Sequence, residues 1–200
     1  YTLRVNYRTS HQIRKRADRL LPALLTDVDG NEESRSATVS LFNGDPPVVQ
    51  ILKSQADESQ TIAEWLKSLI TDGYLPHEIG VFTRTTGELA RAGRAIEQAG
   101  LKAIELTDSI NQRTGHVAIG TMHLAKGLEF KAVAVMACDE DVLPLQERIE
   151  TVGDLADLED LYNTERNLLY VACTRARNRL LVTGVEPGSE FLDDLGVDRI

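Results

Sequence analysis

Two hundred residues with 42% hydrophobic side chains are enough for one α/β domain with a sizeable core, and a formal charge of −9 argues against a surface that coats nucleic acid through bulk basicity. No apolar run approaches the roughly 20 residues a bilayer-crossing helix needs, and no secretory leader pattern opens the chain. Cys138 and Cys173 stand in apolar surroundings without a C-x-x-C or histidine companion, so they read as buried free thiols of a reducing, cytoplasmic compartment. The acidic excess falls between Asp139 and Glu165 while arginines gather near the two ends, which leaves room for a local contact groove.

In chain order, Tyr1 to Asn6 reads as a short strand that delivers Tyr7 and Arg8. Ser10 is the N-cap of a predicted helix from His11 to Leu25, with Ile13, Ala17, Leu20, Leu21 and Leu24 on one face. Asp27 to Asp45, rich in Gly, Asn, Ser and Glu, is a loop or irregular hairpin, and Val48 to Leu52 is a strand. The apolar positions Ile62, Trp65, Leu66 and Leu69 predict an amphipathic helix over Asp57 to Asp72, ended by Gly73. Ile79 to Phe82 is a buried strand, Gly87 to Ala99 a helix closed by Gly100, and Lys102 to Leu106 a further strand. Val117 to Ile119 and Ala132 to Met136 are buried strands, and Leu155 to Cys173 is a long helix. Leu180 to Thr183 is the last strand and Phe191 to Leu195 a short terminal helix. Strands alternating with helices imply a mostly parallel sheet covered by helices on both faces. No internal repeat is visible.

Between the strands at Val117 and Ala132 lies Thr121-Met-His-Leu-Ala-Lys-Gly-Leu-Glu129, which sets a hydroxyl, an imidazole, an ammonium and a carboxylate in an apolar frame. In open α/β sheets ligands bind beyond the carboxyl ends of strands, which makes this segment a candidate site. Near the start stands Val5-Asn-Tyr-Arg-Thr-Ser10, and near the end Glu165-Arg-Asn-Leu-Leu-Tyr-Val-Ala-Cys-Thr-Arg-Ala-Arg177. No G-x-x-x-x-G-K-[ST] occurs; Gly120 to Lys126 lacks a second glycine before the lysine and a Ser or Thr after it, so the chain has no P-loop to cradle phosphates. Asp139-Glu-Asp141 is the nearest approach to an acidic Mg²⁺-holding strand end, but it comes after the Thr121–Glu129 segment, the wrong place for that role.

These three segments, in this order, resemble motif V (T-x-H-x-x-K-G-L-E-F), motif IV and motif VI of the UvrD/Rep-type superfamily 1 helicases. The resemblance covers essentially the whole chain. It implies a RecA-like fold of the P-loop NTPase type, and residues 1–200 as a single second motor domain, 2A-like, belonging to a longer protein. A missing N-terminal domain would then supply the P-loop, the Mg²⁺ ligands and the catalytic carboxylate; a chain that begins at Tyr1 rather than Met agrees with this. Only about ten residues join the Lys102 strand to the Val117 strand, so the helical 2B insertion that UvrD and Rep carry ahead of motif V is absent.

The resemblance also assigns roles. Tyr7 stacks on the adenine of ATP, and Arg8 reaches its terminal phosphate through the planar fork that suits guanidinium to phosphate. Glu129, with Gly127 allowing close backbone approach and Lys126 nearby, accepts from the ribose hydroxyls. Arg175 acts as an arginine finger, and Thr121 and His123 contact single-stranded DNA. Plainer readings exist for each: a core-rim tyrosine, a surface ion pair for Arg8, a structural histidine, and an arginine that merely meets a helix dipole. Arg177 and Arg179 fit that last reading, and Glu165 and Arg166 fit a solvated or inter-motif salt bridge. The implied activity is ATP-dependent DNA unwinding or translocation in the complete protein, in DNA repair among other settings, with the isolated chain inactive. The alternatives are the motor part of a helicase–nuclease, or a helicase-like module that only binds DNA or protein.

Overall fold

Short apolar runs rich in Val, Ile and Ala cannot satisfy their backbone polar groups alone, and here they pair into one central sheet. The computed structural model describes residues 5–6, 8–21, 24–26, 32–34, 39–40, 42–107 and 113–198. Two small ladders come first. Strand β1 (Val5–Asn6) runs parallel to β4 (Val39–Ser40), and β2 (Leu24–Thr26) is antiparallel to β3 (Glu32–Ser34). The main strands are β5 (Val48–Leu52), β6 (Ile79–Thr83), β7 (Ala103–Glu105), β8 (Val117–Thr121), β9 (Phe130–Val135) and β10 (Ala176–Val185). They lie in the order β5-β10-β9-β6-β8-β7, and every ladder among them is parallel.

The helices are α1 (His11–Ala17), α2 (Gln55–Thr71), α3 (Leu89–Gln98), α4 (Gln146–Ile149), α5 (Leu155–Cys173) and α6 (Glu190–Leu195). Side chains alternate across the sheet, so each strand feeds two apolar layers. Phe82, Val133, Val135, Leu180 and Val182 pack with Ile13 of α1, Leu169 of α5 and Phe191 of α6. Val81, Ala132, Ala134 and Leu181 pack with Ile62 and Leu66 of α2 and Ile96 of α3. The expected two-sided α/β sheet is the one observed, and β1 is found on a separate two-stranded ladder.

Several boundaries differ from the sequence expectation. Ser10 caps α1, its hydroxyl accepting from the Ile13 amide, but the helix ends at Ala17, passes through a 3₁₀ turn at Asp18–Leu20 and stops. Pro22 explains the early end. A proline disfavours helical geometry in the residue before it, and Leu21 is extended at φ −119° and ψ 153°. The expected helix to Leu25 is therefore corrected, since Leu24–Thr26 is strand β2. Helix α2 starts earlier than expected because Ser54 caps it, accepting from the Asp57 amide, and Gly73 follows its end at φ +90°. Thr86–Glu88 is a 3₁₀ turn ahead of α3, β10 is longer than expected at both ends, and α4 has no counterpart in the sequence reading. Helix α5 spans the expected residues, with the Asp154 carboxylate accepting from the amides of Ala156 and Asp157.

At the carboxyl ends of β9 and β10 lies a buried charged cluster. Arg91, in the first turn of α3 and 2% exposed, reaches Glu58 at 2.5 Å and Asp139 at 2.6 Å. Glu58 also accepts from the Ala137 amide (3.0 Å) and the Thr183 hydroxyl (2.7 Å), and Asp139 accepts from the Val185 amide at 2.7 Å. Burial raises the Glu58 pKa, while Arg91 and these two donors pull it down. Ala137 sits in the left-handed region at φ 57°, which aims its amide at Glu58. Asp139 is thus committed to Arg91 and the β10 backbone.

Candidate functional site

The segment Thr121–Glu129 joins two edges of the sheet. It leaves the carboxyl end of β8, forms a 3₁₀ turn at Met122–Ala125, and delivers Glu129 to the amino end of β9. Met122 and Ala125 are fully buried, which fastens the crossover to the sheet and to α5. The expected placement beyond the carboxyl ends therefore holds for Thr121 and His123. It is corrected for Gly127 and Glu129, which arrive at the opposite edge.

At that amino edge, three segments distant in sequence meet. Arg8 forms an ion pair with Glu129 at 2.6 Å, both side chains being well exposed. Arg175 immediately precedes β10; its Nε donates to the Val171 carbonyl at 3.1 Å and its guanidinium to the Leu128 carbonyl at 3.4 Å. Burial lowers the Arg175 pKa, Arg8 lowers it further, and Glu129 opposes both. Two mutually repelling guanidinium groups are held there, Arg175 by backbone carbonyls and Arg8 by the Glu129 carboxylate, an arrangement suited to an anion that could approach both. The flanking chain is tied down: the Thr9 hydroxyl donates to the Thr174 carbonyl, the Ser10 amide to the Arg177 carbonyl, and the Phe130 amide to the Arg175 carbonyl. Gly127 has φ +84° with nothing within 4 Å of a built Cβ, so it serves the turn and leaves open space beside it. Lys126 is exposed and makes no hydrogen bond or ion pair among the described residues. Tyr7 lies outside the described residues.

At the carboxyl edge, a second group gathers. Arg84, the residue after β6, grips Glu165 with two bonds of 2.6 and 2.7 Å, and Arg148 of α4 adds a third at 2.9 Å. Glu165 is 0% exposed, so it is a buried hub rather than the solvated pair considered from sequence. Arg166, by contrast, pairs with Asp194 nearer the surface at 3.0 Å. His123 is exposed nearby; burial lowers its pKa, and the positive charges of Arg84 and Arg148 act in the same direction. Thr121 is 9% exposed, so its side chain offers little surface. Sequence reasoning missed Arg84 and Arg148. A signal for Arg84 did exist: a charged residue directly after the fully buried Ile79–Thr83 strand requires a partner. Arg148 sits in an acidic stretch that looked like a loop, where nothing singled it out.

The fold is the RecA-like α/β fold of a helicase C-terminal domain. It matches the structure of the C-terminal domain of a possible DNA helicase from Lactobacillus plantarum WCFS1 at a TM-score of 0.64 and 21% identity, over 96% of this chain and 94% of that one. Residues 93–186 match the model of the UvrD-like helicase C-terminal domain. Among curated proteins, the ATP-dependent DNA helicase UvrD1 of Mycobacterium leprae is 41% identical over 78 residues, 38% of this chain and 9% of that protein. The ATP-dependent DNA helicase Rep of Buchnera aphidicola is 26% identical over 145 residues, 72% of this chain and 19% of that protein. The chain thus spans less than a fifth of the length of these relatives. Its homologues are ATP-dependent DNA helicases of the UvrD, Rep and PcrA kinds.

Proposed function

We propose that this chain is the second motor domain of an ATP-dependent DNA helicase or translocase, acting in the cytoplasm together with an N-terminal P-loop domain of the same protein. One observation carries this reading: Arg8, Glu129 and Arg175, drawn from three distant segments, converge at one edge of the sheet. In this reading the edge faces the partner domain across a cleft that holds ATP and Mg²⁺. Arg8 and Arg175 contact the phosphates, Glu129 accepts from the ribose hydroxyls, Gly127 lets the backbone approach, Lys126 flanks the site, and Tyr7 stacks on the base. The repelling guanidinium pair fits a polyphosphate. In this reading the Mg²⁺ ligands belong to the P-loop domain. Bound ATP supplies the phosphoryl-transfer energy; the chain's own part is to present positive charge where negative charge develops.

The opposite edge, with Thr121 and His123, is assigned to single-stranded DNA. Because Arg8 and Arg175 meet phosphates only when the two domains approach, nucleotide favours the closed cleft, and its loss favours reopening. The test is Arg175→Ala in the complete protein. ATP turnover should fall by about three to five decades with the thermal midpoint and strand affinity nearly unchanged, and Arg175→Lys should rescue little. Normal turnover by a destabilised Arg175→Ala protein would make Arg175 structural and defeat the reading.

A further inference from the structure

The carboxyl-edge hub holds more positive charge than Glu165 needs. Arg84 is nearly buried and already accounts for both oxygens of the carboxylate, at 2.6 Å to Oε2 and 2.7 Å to Oε1. Arg148 adds a second guanidinium to the same Oε1, yet its side chain remains 45% exposed. A buried carboxylate is thus saturated from inside while a surface arginine is held on it by one nitrogen. Holding a long side chain in one place costs conformational entropy, and here Glu165 offsets that cost before any ligand arrives. In a chain of net charge −9, a fixed and half-exposed guanidinium next to an exposed imidazole is a local positive field. Burial is the main cause that lowers the His123 pKa; Arg84 and Arg148 act in the same direction and Glu165 opposes them, which places all three charges within reach of the imidazole.

We propose that Arg148, oriented by the buried Glu165 carboxylate, is a further contact for a backbone phosphate of the single strand that passes Thr121 and His123. The proposal rests on the DNA-directed reading of that edge. Phosphate is the matching chemistry because a guanidinium with one nitrogen spent on Glu165 still presents donors in a planar fork. Glu165 is a positioning residue, acting through Arg148 and Arg84. It also lies on α5, eight residues and about 12 Å of helix before Cys173, so one helix joins the residue that orients Arg148 to the turn that carries Arg175.

The experiment measures single-strand affinity of the complete protein as a function of salt, by fluorescence anisotropy, for wild type, Arg148→Ala, Arg148→Lys and the distant surface variant Arg179→Ala. Each phosphate contact on single-stranded DNA contributes about 0.7 to the slope of log K against log salt concentration. Arg148→Ala should lower the slope by about that amount, Arg148→Lys should keep most of it, and Arg179→Ala should leave it unchanged. ATP turnover without DNA should be the same in all four. An unchanged slope with a lowered thermal midpoint would make Arg148 a structural clamp and overturn the proposal alone. Absence of any salt-dependent strand binding by the wild-type protein would overturn both the proposal and the DNA-directed reading beneath it.

Discussion

Replacing Arg91 by methionine keeps the aliphatic stem while removing the one cation between Glu58 and Asp139. Arg91 is 2% exposed, Glu58 is 0% exposed, and their side chains meet at 2.5 Å; Asp139 is 2.6 Å away on the other side. Taking away one partner of a buried ion pair strands the other in a low dielectric, which costs about 3–5 kcal/mol. For a domain of this size that is a drop in thermal midpoint of about 6–20 °C, readable by calorimetry or a urea melt of this chain. The pH dependence is a second readout. Burial already raises the Glu58 pKa, and Arg91 is the largest influence pulling it down. Without Arg91 the folded-state pKa lies further above the unfolded one, so the folded variant binds more protons than its unfolded chain. Its stability should therefore rise as pH falls from neutral toward the ordinary glutamate range, narrowing the gap to wild type. Glu58→Gln in the Arg91→Met background should recover part of the loss at neutral pH. A loss under about 1 kcal/mol, independent of pH, would refute the reasoning, because it would mean water or relaxation solvates the two carboxylates without Arg91.

The remaining predictions concern backbone approach and the thiols. A Cβ added at Gly184 would lie 2.3 Å from the Cys138 carbonyl oxygen, so Gly184→Ala must shift two strand ends and should cost about 1–3 kcal/mol in a urea melt. Gly127→Ala meets nothing and should cost only about 1 kcal/mol for its φ of +84°. Cys138 and Cys173 are both fully buried, with the Cys173 thiol pushed up to about 12 and Cys138 also raised well above the ordinary thiol value. The unfolded chain loses these protons first, so stability should fall as pH rises above the ordinary thiol range, by about 1.4 kcal/mol per pH unit for each thiol. Comparing wild type with Cys173→Ala between pH 8 and pH 10 by urea melts checks this; equal slopes would refute it.

Periodicity made most of the fold legible, because buried parallel strands and amphipathic helices repeat on scales that sequence displays directly. Helix α5 was readable along its length: Asp154 marks its start, and Leu161, Leu168 and Leu169 run along it at helical spacing. The end of α1 was misplaced because the apolar stripe Ile13, Ala17, Leu20, Leu21, Leu24 continues through Pro22, and the stripe outweighed the proline. The nucleotide-facing group was legible as three separate motifs, but their meeting was not. Nothing in the local pattern says that Glu129 leads into a strand two places along the sheet from the one Thr121 ends. The Arg84–Glu165–Arg148 hub was hidden for a different reason. Its members are 81 and 17 residues apart in sequence, and a charged residue on a helix looks the same whether its partner is water or a buried guanidinium.

The crossover from β8 to β9 also imposes a length. One strand, β6, lies between them, so the lateral step is about 10 Å. Thr121 is level with Thr83 and Ala132 with Ile79, which places Thr121 six residues above Phe130 on the ladder, about 20 Å. The straight path is then about 22 Å. The four residues of the 3₁₀ turn advance about 8 Å, the Lys126–Gly127 turn closed by the Leu128 amide on the Ala125 carbonyl spans at most about 7 Å, and Leu128 to Phe130 adds about 7 Å, a reach of about 22 Å. The tether is nearly taut. One residue fewer would pull Glu129 away from Arg8, and one more would let it slide along the edge, so spacing between the two half-sites is gauged by chain length as much as by side-chain chemistry.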